Sequence, residues 1–368
     1  MPERKGIRLS AGTARVLGLS MAKVDDLPTT AYLLTAEKCV HSCQFCPQGR
    51  ASGSRADLLS RVTWPEMDKT TAAEALFAAP EGVRRVCLQV TDHHGWKEEV
   101  EWLAGTAARG RRLPACVSCR PRNLGEVAEI LAMGVDKVGI AIDAVTPEIY
   151  ARVKGDPAGG KTTSWHSTLA LILAAARAFP GRVATHAIIG LGETEQDAVQ
   201  VMGLFADYGV IVGLFAFTPV RGTPLEHAEP PELGQYRRMQ AVRYLLAKEG
   251  GATESGRDAG AGRDADRDAV TELVDFRRFR FDGDGRLTDL GLEGDELADL
   301  ARLLASGDAF RTSGCPDCNR PYYNERPGGV IYNYPRPLTT DETRAALAQT
   351  GLFDEGRLGR TAAKAVTG

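Results

Sequence analysis

Three cysteines spaced as Cys39-Val-His-Ser-Cys43-Gln-Phe-Cys46 follow shortly after the apolar run Ala31-Tyr-Leu-Leu34. One short loop thereby supplies three thiolates, and a cubane iron–sulfur cluster held there keeps one iron without a protein ligand, open to a substrate or cofactor. The other chemistry for such a group is a zinc knuckle or half of a disulfide framework, although zinc sites usually join C-x2-C to a second pair. Two such pairs exist elsewhere: Pro114-Ala-Cys116-Val-Ser-Cys119-Arg and Gly314-Cys315-Pro-Asp-Cys318-Asn. Together they offer four ligands, enough to close a second cubane or a tetrahedral zinc site, and the expectation is that they meet in space. The alternative is two unrelated pairs, since small buried cysteines are common, and Cys87 on its own reads as core for that reason.

The totals narrow the class. With 368 residues the chain is long enough for one large domain and a smaller one. A net charge of −3 supplies no basic footprint for nucleic acid. The N-terminus lacks the apolar run of a signal peptide, and the longest apolar stretch, 169–176, is too short to span a bilayer. Neither nucleic acid nor membrane is therefore expected as a partner. Eight cysteines would suit a secreted disulfide protein. Seven of them, however, fall into the triplet and the two pairs, which is ligand grouping suited to a reducing, cytoplasmic compartment.

The elements that must position these groups alternate along the chain. Strands are expected at 31–34, 83–90, 114–118, 137–142, 183–189 and 210–217. Helical patterns fall at 64–77, 96–109, 123–133, 165–179, 194–208 and 233–249, with start signals at Thr63 before Trp64-Pro65 and Thr146 before Pro147. Six such βα units predict an α/β fold, a partial (β/α)6 TIM-type barrel whose active site forms at the C-terminal strand ends, where the triplet lies. The expected organisation is an N-terminal extension at 1–29, the barrel at 30–249, a small-residue and charged linker at 250–269, a C-terminal extension at 270–340 carrying Cys315 and Cys318 over the barrel mouth, and a tail helix within 341–368. Asp282-Gly-Asp-Gly-Arg286 reads as a β-turn, because Arg286 and Leu287 stand where a calcium loop needs a ligand and a glycine. The stretch 319–337, rich in Pro, Gly, Tyr and Arg, is expected to wrap irregularly, either as part of the active-site wall or as a structural strap.

The triplet, with Phe45 just before its third cysteine, resembles the radical S-adenosylmethionine (SAM) superfamily. That resemblance implies a SAM-binding 4Fe-4S cluster on Cys39, Cys43 and Cys46, reductive cleavage of SAM and a 5′-deoxyadenosyl radical. His186-Ala-Ile188-Ile-Gly190-Leu-Gly192-Glu193 resembles the adenine-contacting strand of the biotin-synthase-related group, Gly139-Ile-Ala-Ile-Asp143 its ribose-contacting strand, and Phe217-Thr-Pro-Val-Arg221-Gly its sixth-strand loop. Phe45, Asp143, His186, Ile188, Gly190, Gly192, Glu193 and Arg221 are then the implied SAM contacts. Plain structural roles stay open for Asp143 as a turn residue, His186 as core and Glu193 as a loop charge. The superfamily's Gly-Gly-Glu grip is absent; strand two ends Gln89-Val-Thr91-Asp92.

Cys116 and Cys119, the stretch Cys315-Pro-Asp-Cys318-Asn-Arg-Pro-Tyr-Tyr-Asn-Glu-Arg-Pro-Gly-Gly and Leu59-Ser-Arg-Val-Thr-Trp-Pro65 resemble one component of the two-component, archaeal-type lipoyl synthase. The different auxiliary cysteine pattern and serine ligand of single-chain lipoyl synthase are not found. The resemblance implies a sulfurtransferase acting on an octanoylated carrier protein or peptide. It implies a second, auxiliary 4Fe-4S cluster on Cys116, Cys119, Cys315 and Cys318 as sulfur donor, a second radical SAM subunit, and an electron donor such as ferredoxin or flavodoxin. An auxiliary cluster acting as electron conduit or substrate anchor, and a zinc-stapled binding protein, are the competing readings.

Overall fold

The computed structural model describes residues 6–109, 112–155, 163–247, 275–325 and 328–353. The linker expected at 250–269 and the tail beyond 353 lie outside the described residues. The chain opens with β1 (Gly6–Leu9) and α1 (Ala11–Val16), then enters β2 (Thr30–Thr35). A hairpin of β3 (Leu58–Leu59) and β4 (Val62–Thr63) and a short β5 (Glu66–Asp68) lead into α2 (Lys69–Phe77). From there strands and helices alternate: β6 (Arg85–Gln89), α3 (Trp96–Ala107), β7 (Ala115–Cys119), α4 (Leu124–Ala132), β8 (Lys137–Ile140), α5 (Pro147–Lys154), α6 (Trp165–Ala178), β9 (Val183–Ile189), α7 (Glu195–Asp207), β10 (Ile211–Ala216) and α8 (Leu233–Leu246). The C-terminal part adds β11 (Arg280–Phe281), β12 (Leu287–Asp289), α9 (Gly294–Leu304) and α10 (Thr340–Thr350).

Strands β2, β6, β7, β8, β9 and β10 are parallel and neighbour one another in chain order. This is the expected partial barrel. Its strands carry apolar side chains toward the helices and more polar ones into the lumen, because successive residues of a strand point to opposite faces. In β6, Val86 and Leu88 join the main core, whereas Arg85, Cys87 and Gln89 line the central cavity.

The structure corrects one local expectation. The helix expected from Trp64 begins only at Lys69, since the Asp68 carboxylate accepts from the backbone N–H of Thr70 and Thr71 at 2.8 and 3.2 Å and caps it there. Residues Glu66–Asp68 instead extend the sheet by pairing with β1. Within the expected N-terminal extension, the strand Gly6–Leu9 also joins the barrel's sheet. It pairs antiparallel with β2, and Ile7 and Leu9 are fully buried in the core. The signal at Thr146 holds: its hydroxyl accepts from Ile149 N at 3.2 Å and Pro147 takes the first helical position. So does the turn at Asp282, whose carboxylate accepts from Asp284 N and Arg286 N.

The C-terminal segment shares the barrel's core, with Leu300, Leu304 and Phe310 fully buried. It then crosses the gap between the first and last strands. Ser313 Oγ accepts from Leu214 N on β10 at 2.8 Å, and Asp317 O accepts from the hydroxyls of Thr29 and Thr30 at the start of β2. Arg237 on α8 holds the returning chain by donating to the carbonyls of Tyr332 and Ile331.

A buried bidentate pair ties the C-terminal part to the barrel. Arg238 meets Glu195 at 2.8 and 2.5 Å, and Glu195 also accepts from Leu287 N at 2.9 Å. Both side chains are at most 5% exposed. Removing one partner leaves a charge in the interior without its counter-ion. Glu195→Gln is expected to lower unfolding stability by about 3–5 kcal/mol, read as a fall in the urea midpoint.

Candidate active site

The Cys39–Cys46 loop sits at the C-terminal ends of the strands and is tied to three neighbouring connections. Val40 N donates to Asp92 O after β6, Gln44 N to Val153 O on α5, and Leu225 N, after β10, to Gln44 O. His41 Nε2 and Asp92 Oδ2 lie 2.7 Å apart. The loop curls tightly: a Cβ on Gly49 would come within 3.1 Å of the carbonyls of both Cys43 and Cys46. Burial pushes the thiols of Cys39, Cys43 and Cys46 up, so ionising them calls for a compensating positive centre. Three desolvated thiols carried on one short loop are the donor set that an open cluster requires.

Below the loop lies a cavity of ≈ 200 Å³. Phe45, Cys46, Asp143, His186 and Ile188 line it, so these expected SAM contacts gather around one space. Asp143 adopts a left-handed backbone at φ 60°, which Asp tolerates better than most residues. Its Oδ2 is 2.7 Å from Lys154 Nζ, an anchor that sequence reasoning did not single out. Burial lowers the His186 pKa to about 4, which leaves the ring neutral at pH 7, and it packs edge-on against Phe215.

The other expected SAM contacts do not line this cavity. Glu193 is a loop clamp: its carboxylate accepts from Gly190 N at 2.6 Å and Leu191 N at 3.0 Å, and burial pushes its pKa up. Gly190 turns at φ 102°, where a Cβ would strike Pro231 at 2.7 Å, so its glycine is explained by chain packing. Gly192 has φ 107° in the same turn. Arg221 lines a second cavity of ≈ 520 Å³.

At the opposite end of the first cavity stand Cys87, Cys116, Cys315 and Cys318. Of the four cysteines expected to meet, Cys116, Cys315 and Cys318 line this cavity and Cys119 does not, while Cys87 does. Cys87 and Cys116 are register partners on β6 and β7 and face the lumen together. Cys119, three residues beyond Cys116 on the same strand, points to the other face and is buried among the apolar core. The missed signal lay in the alternation Arg85-x-Cys87-x-Gln89 beside Cys116-x-Ser118, polar positions two apart among valines and leucines.

The tail also arrives from the other side. Asp317 O accepts from Thr29 and Thr30, Arg84 meets the Asp317 carboxylate at 3.3 Å, and Arg85 Nε donates to Pro316 O at 3.0 Å. All four partners sit at strand beginnings. The Cys315–Cys318 turn therefore plugs the N-terminal end of the barrel instead of capping its mouth.

The four thiols influence one another. Cys315 hydrogen-bonds Cys116, which holds the Cys116 thiol below its ordinary value, with the Arg85 charge adding to the effect. The same contact, with burial, pushes Cys315 up, and burial does so for Cys87. Among the described residues no three His, Cys, Asp or Glu side chains converge on a single-ion site. A cubane, by contrast, spreads its ligands over separate corners, and four thiols lining one space match that demand. Gentle oxidation of the metal-free chain is expected to link Cys116 to Cys315, with Cys119 left as a free thiol. Non-reducing peptide mass spectrometry reads the outcome, and a Cys116–Cys119 link would contradict the geometry.

The Radical SAM superfamily pattern matches residues 33–205. A biotin synthase of Rhizobium rhizogenes is 29% identical over 196 residues, covering 51% of this chain and 56% of that protein. One from Pseudomonas fluorescens is 26% identical over 275 residues, covering 72% and 73%. Among solved structures, the FeFe-hydrogenase maturase HydG from Carboxydothermus hydrogenoformans superposes with a TM-score of 0.46 at 16% identity, over 59% of this chain and 51% of that one. No helix among the described residues is long and apolar enough to cross a membrane. With its cysteine loop at the strand ends, residues 33–205 match the Radical SAM superfamily, and the chain is similar in sequence to biotin synthases.

Proposed function

We propose that this chain inserts sulfur into unactivated C–H bonds of an octanoyl chain carried on a protein or peptide, as in lipoyl cofactor biosynthesis. The observation that carries the reading is one cavity with Cys46 at one end and Cys87, Cys116, Cys315 and Cys318 at the other. When bound, a 4Fe-4S cluster on Cys39, Cys43 and Cys46 with SAM supplies a hydrogen-abstracting radical, and an auxiliary cluster on the second four cysteines supplies sulfide. The protein's part is positional. Phe45, Ile188, Phe215 and Phe217 line the space with apolar surface and keep water from the reacting carbon, and Asp143, held by Lys154, offers a fixed carboxylate to the cofactor's hydroxyls.

The lipoyl-specific reading draws support from two sequence stretches that meet in the fold. Ser60 donates to Tyr323 O, and the rings of Trp64 and Tyr323 pack edge-on at 5.8 Å. Tyr32, Ser60 and Tyr323 form a wall common to both cavities, and the larger one is flanked by Lys23, Asp25, Arg61 and Arg221. That charged approach suits a carrier polypeptide delivering a long acyl arm. A ferredoxin- or flavodoxin-type electron donor and a second radical SAM subunit complete the proposed system.

Two measurements test the reading. Iron and sulfide analysis of anaerobically reconstituted protein is expected to show two clusters, with one lost in Cys87→Ala and none lost in Cys119→Ala. Wild-type protein reconstituted with isotope-labelled sulfide, then given SAM, reductant and an octanoylated carrier peptide, is expected to yield labelled sulfur in the product by mass spectrometry. Product without label would leave the second cluster as an electron conduit or anchor, and product on a different carrier would shift the substrate.

A further inference from the structure

Three of the four sulfurs in the second group accept a hydrogen bond from a neighbouring side chain. Arg85 Nη1 donates to Cys116 Sγ at 3.2 Å, Gln89 Nε2 to Cys87 Sγ at 3.1 Å, and Tyr32 Oη to Cys318 Sγ at 3.4 Å. The donors belong to adjacent strands, and Arg85, Cys87 and Gln89 share the lumen face of β6 by the two-residue alternation.

Each of two donors is itself locked. Arg85, 6% exposed, also donates to Pro316 O at 3.0 Å and to Asp136 Oδ2 at 2.5 Å. Tyr32, 1% exposed, accepts from the backbone N–H of Asn319 and Arg320 at 3.1 and 2.9 Å. A phenol has one proton, and with its oxygen occupied as acceptor that proton is aimed at the sulfur. Such locking is more than packing a lumen requires. It fixes donors at ordered distances from groups that are weak acceptors as thiols and strong ones as thiolates.

Four thiolates outweigh the positive charge of an iron–sulfur core, so a cluster here keeps net negative charge away from water. Hydrogen bonds to the ligand sulfurs, and a nearby cation, withdraw electron density and raise the reduction potential of such a centre. We propose that Arg85, Gln89 and Tyr32 are positioning residues that orient Cys116, Cys87 and Cys318 and raise the potential of the auxiliary cluster, with Asp136 restraining Arg85 and partly offsetting its charge. This rests on the auxiliary-cluster reading above.

The full chain carrying Cys39→Ala, Cys43→Ala and Cys46→Ala, reconstituted anaerobically, isolates the second centre for an EPR-monitored redox titration. Arg85→Gln and Gln89→Leu are expected to move its midpoint to more negative potential, Arg85→Lys by less than Arg85→Gln, and Asp136→Asn to more positive potential. The opposite sign for Asp136→Asn separates electrostatic tuning from simple loosening of the site. Should Arg85→Gln fail to retain iron, Gln89→Leu and Asp136→Asn carry the test. A cluster that forms in every variant with an unchanged midpoint, or shifts of one sign throughout, overturns the donor inference while leaving the cluster in place. Absence of iron from the triple variant itself would instead remove the auxiliary cluster and this inference with it.

Discussion

A parallel strand buried on both faces has to deliver every second side chain to the lumen and the others to the helices, and the phase of that alternation governs the site. On β6 it sends Arg85, Cys87 and Gln89 inward, and on β7 it sends Cys116, the register partner of Cys87. Cys119 falls on the wrong beat and is buried between strand and helix. A slip of one residue would replace the inward polar row with Val86 and Leu88 and turn the cysteine pair away from the tail.

Closure of the barrel depends on the same inward row. Six strands leave a gap, and the tail fills it by bonding to the edge of β10 and to the beginnings of β2 and β6: Leu214 N, Thr29, Thr30 and Arg85 each find a partner between Ser313 and Asn319. Those contacts bring Cys315 and Cys318 to the cavity that Cys87 and Cys116 line and partly shield the group from water. Desolvation is then both the cost and the device. The Cys87 and Cys315 thiols, which burial helps keep protonated in the bare protein, would ionise if a positive core were bound. A second buried charge arrangement, Arg238 with Glu195, secures the outer layer on which the tail's return path relies.

Much of the catalytic end could be read before folding was considered. The triplet is local, so its loop carries its chemistry with it, and Phe45, Asp143, His186 and Ile188 do surround one cavity. Glu193 and Gly190 were harder to read because a turn that clamps itself and a turn that grips a ligand use the same residues. Glu193 spends both oxygens on its own loop. Lys154, which holds Asp143, left no mark in the sequence, since a lysine late in a helix ordinarily faces solvent.

By itself the sequence determined the alternation of six strands with helices, the cysteine loop after the first strand, and a tail rich in cysteine and tyrosine, because periodicity and spacing are properties of short segments. The tertiary structure alone decided that Cys87, and not Cys119, lines the cavity and that the tail enters from the strand beginnings. Both outcomes depend on which face of each strand looks into the lumen and on contacts nearly three hundred residues apart, such as Tyr32 with Cys318. A one-dimensional pattern can state that a strand alternates. The choice of inward phase belongs to the closed barrel.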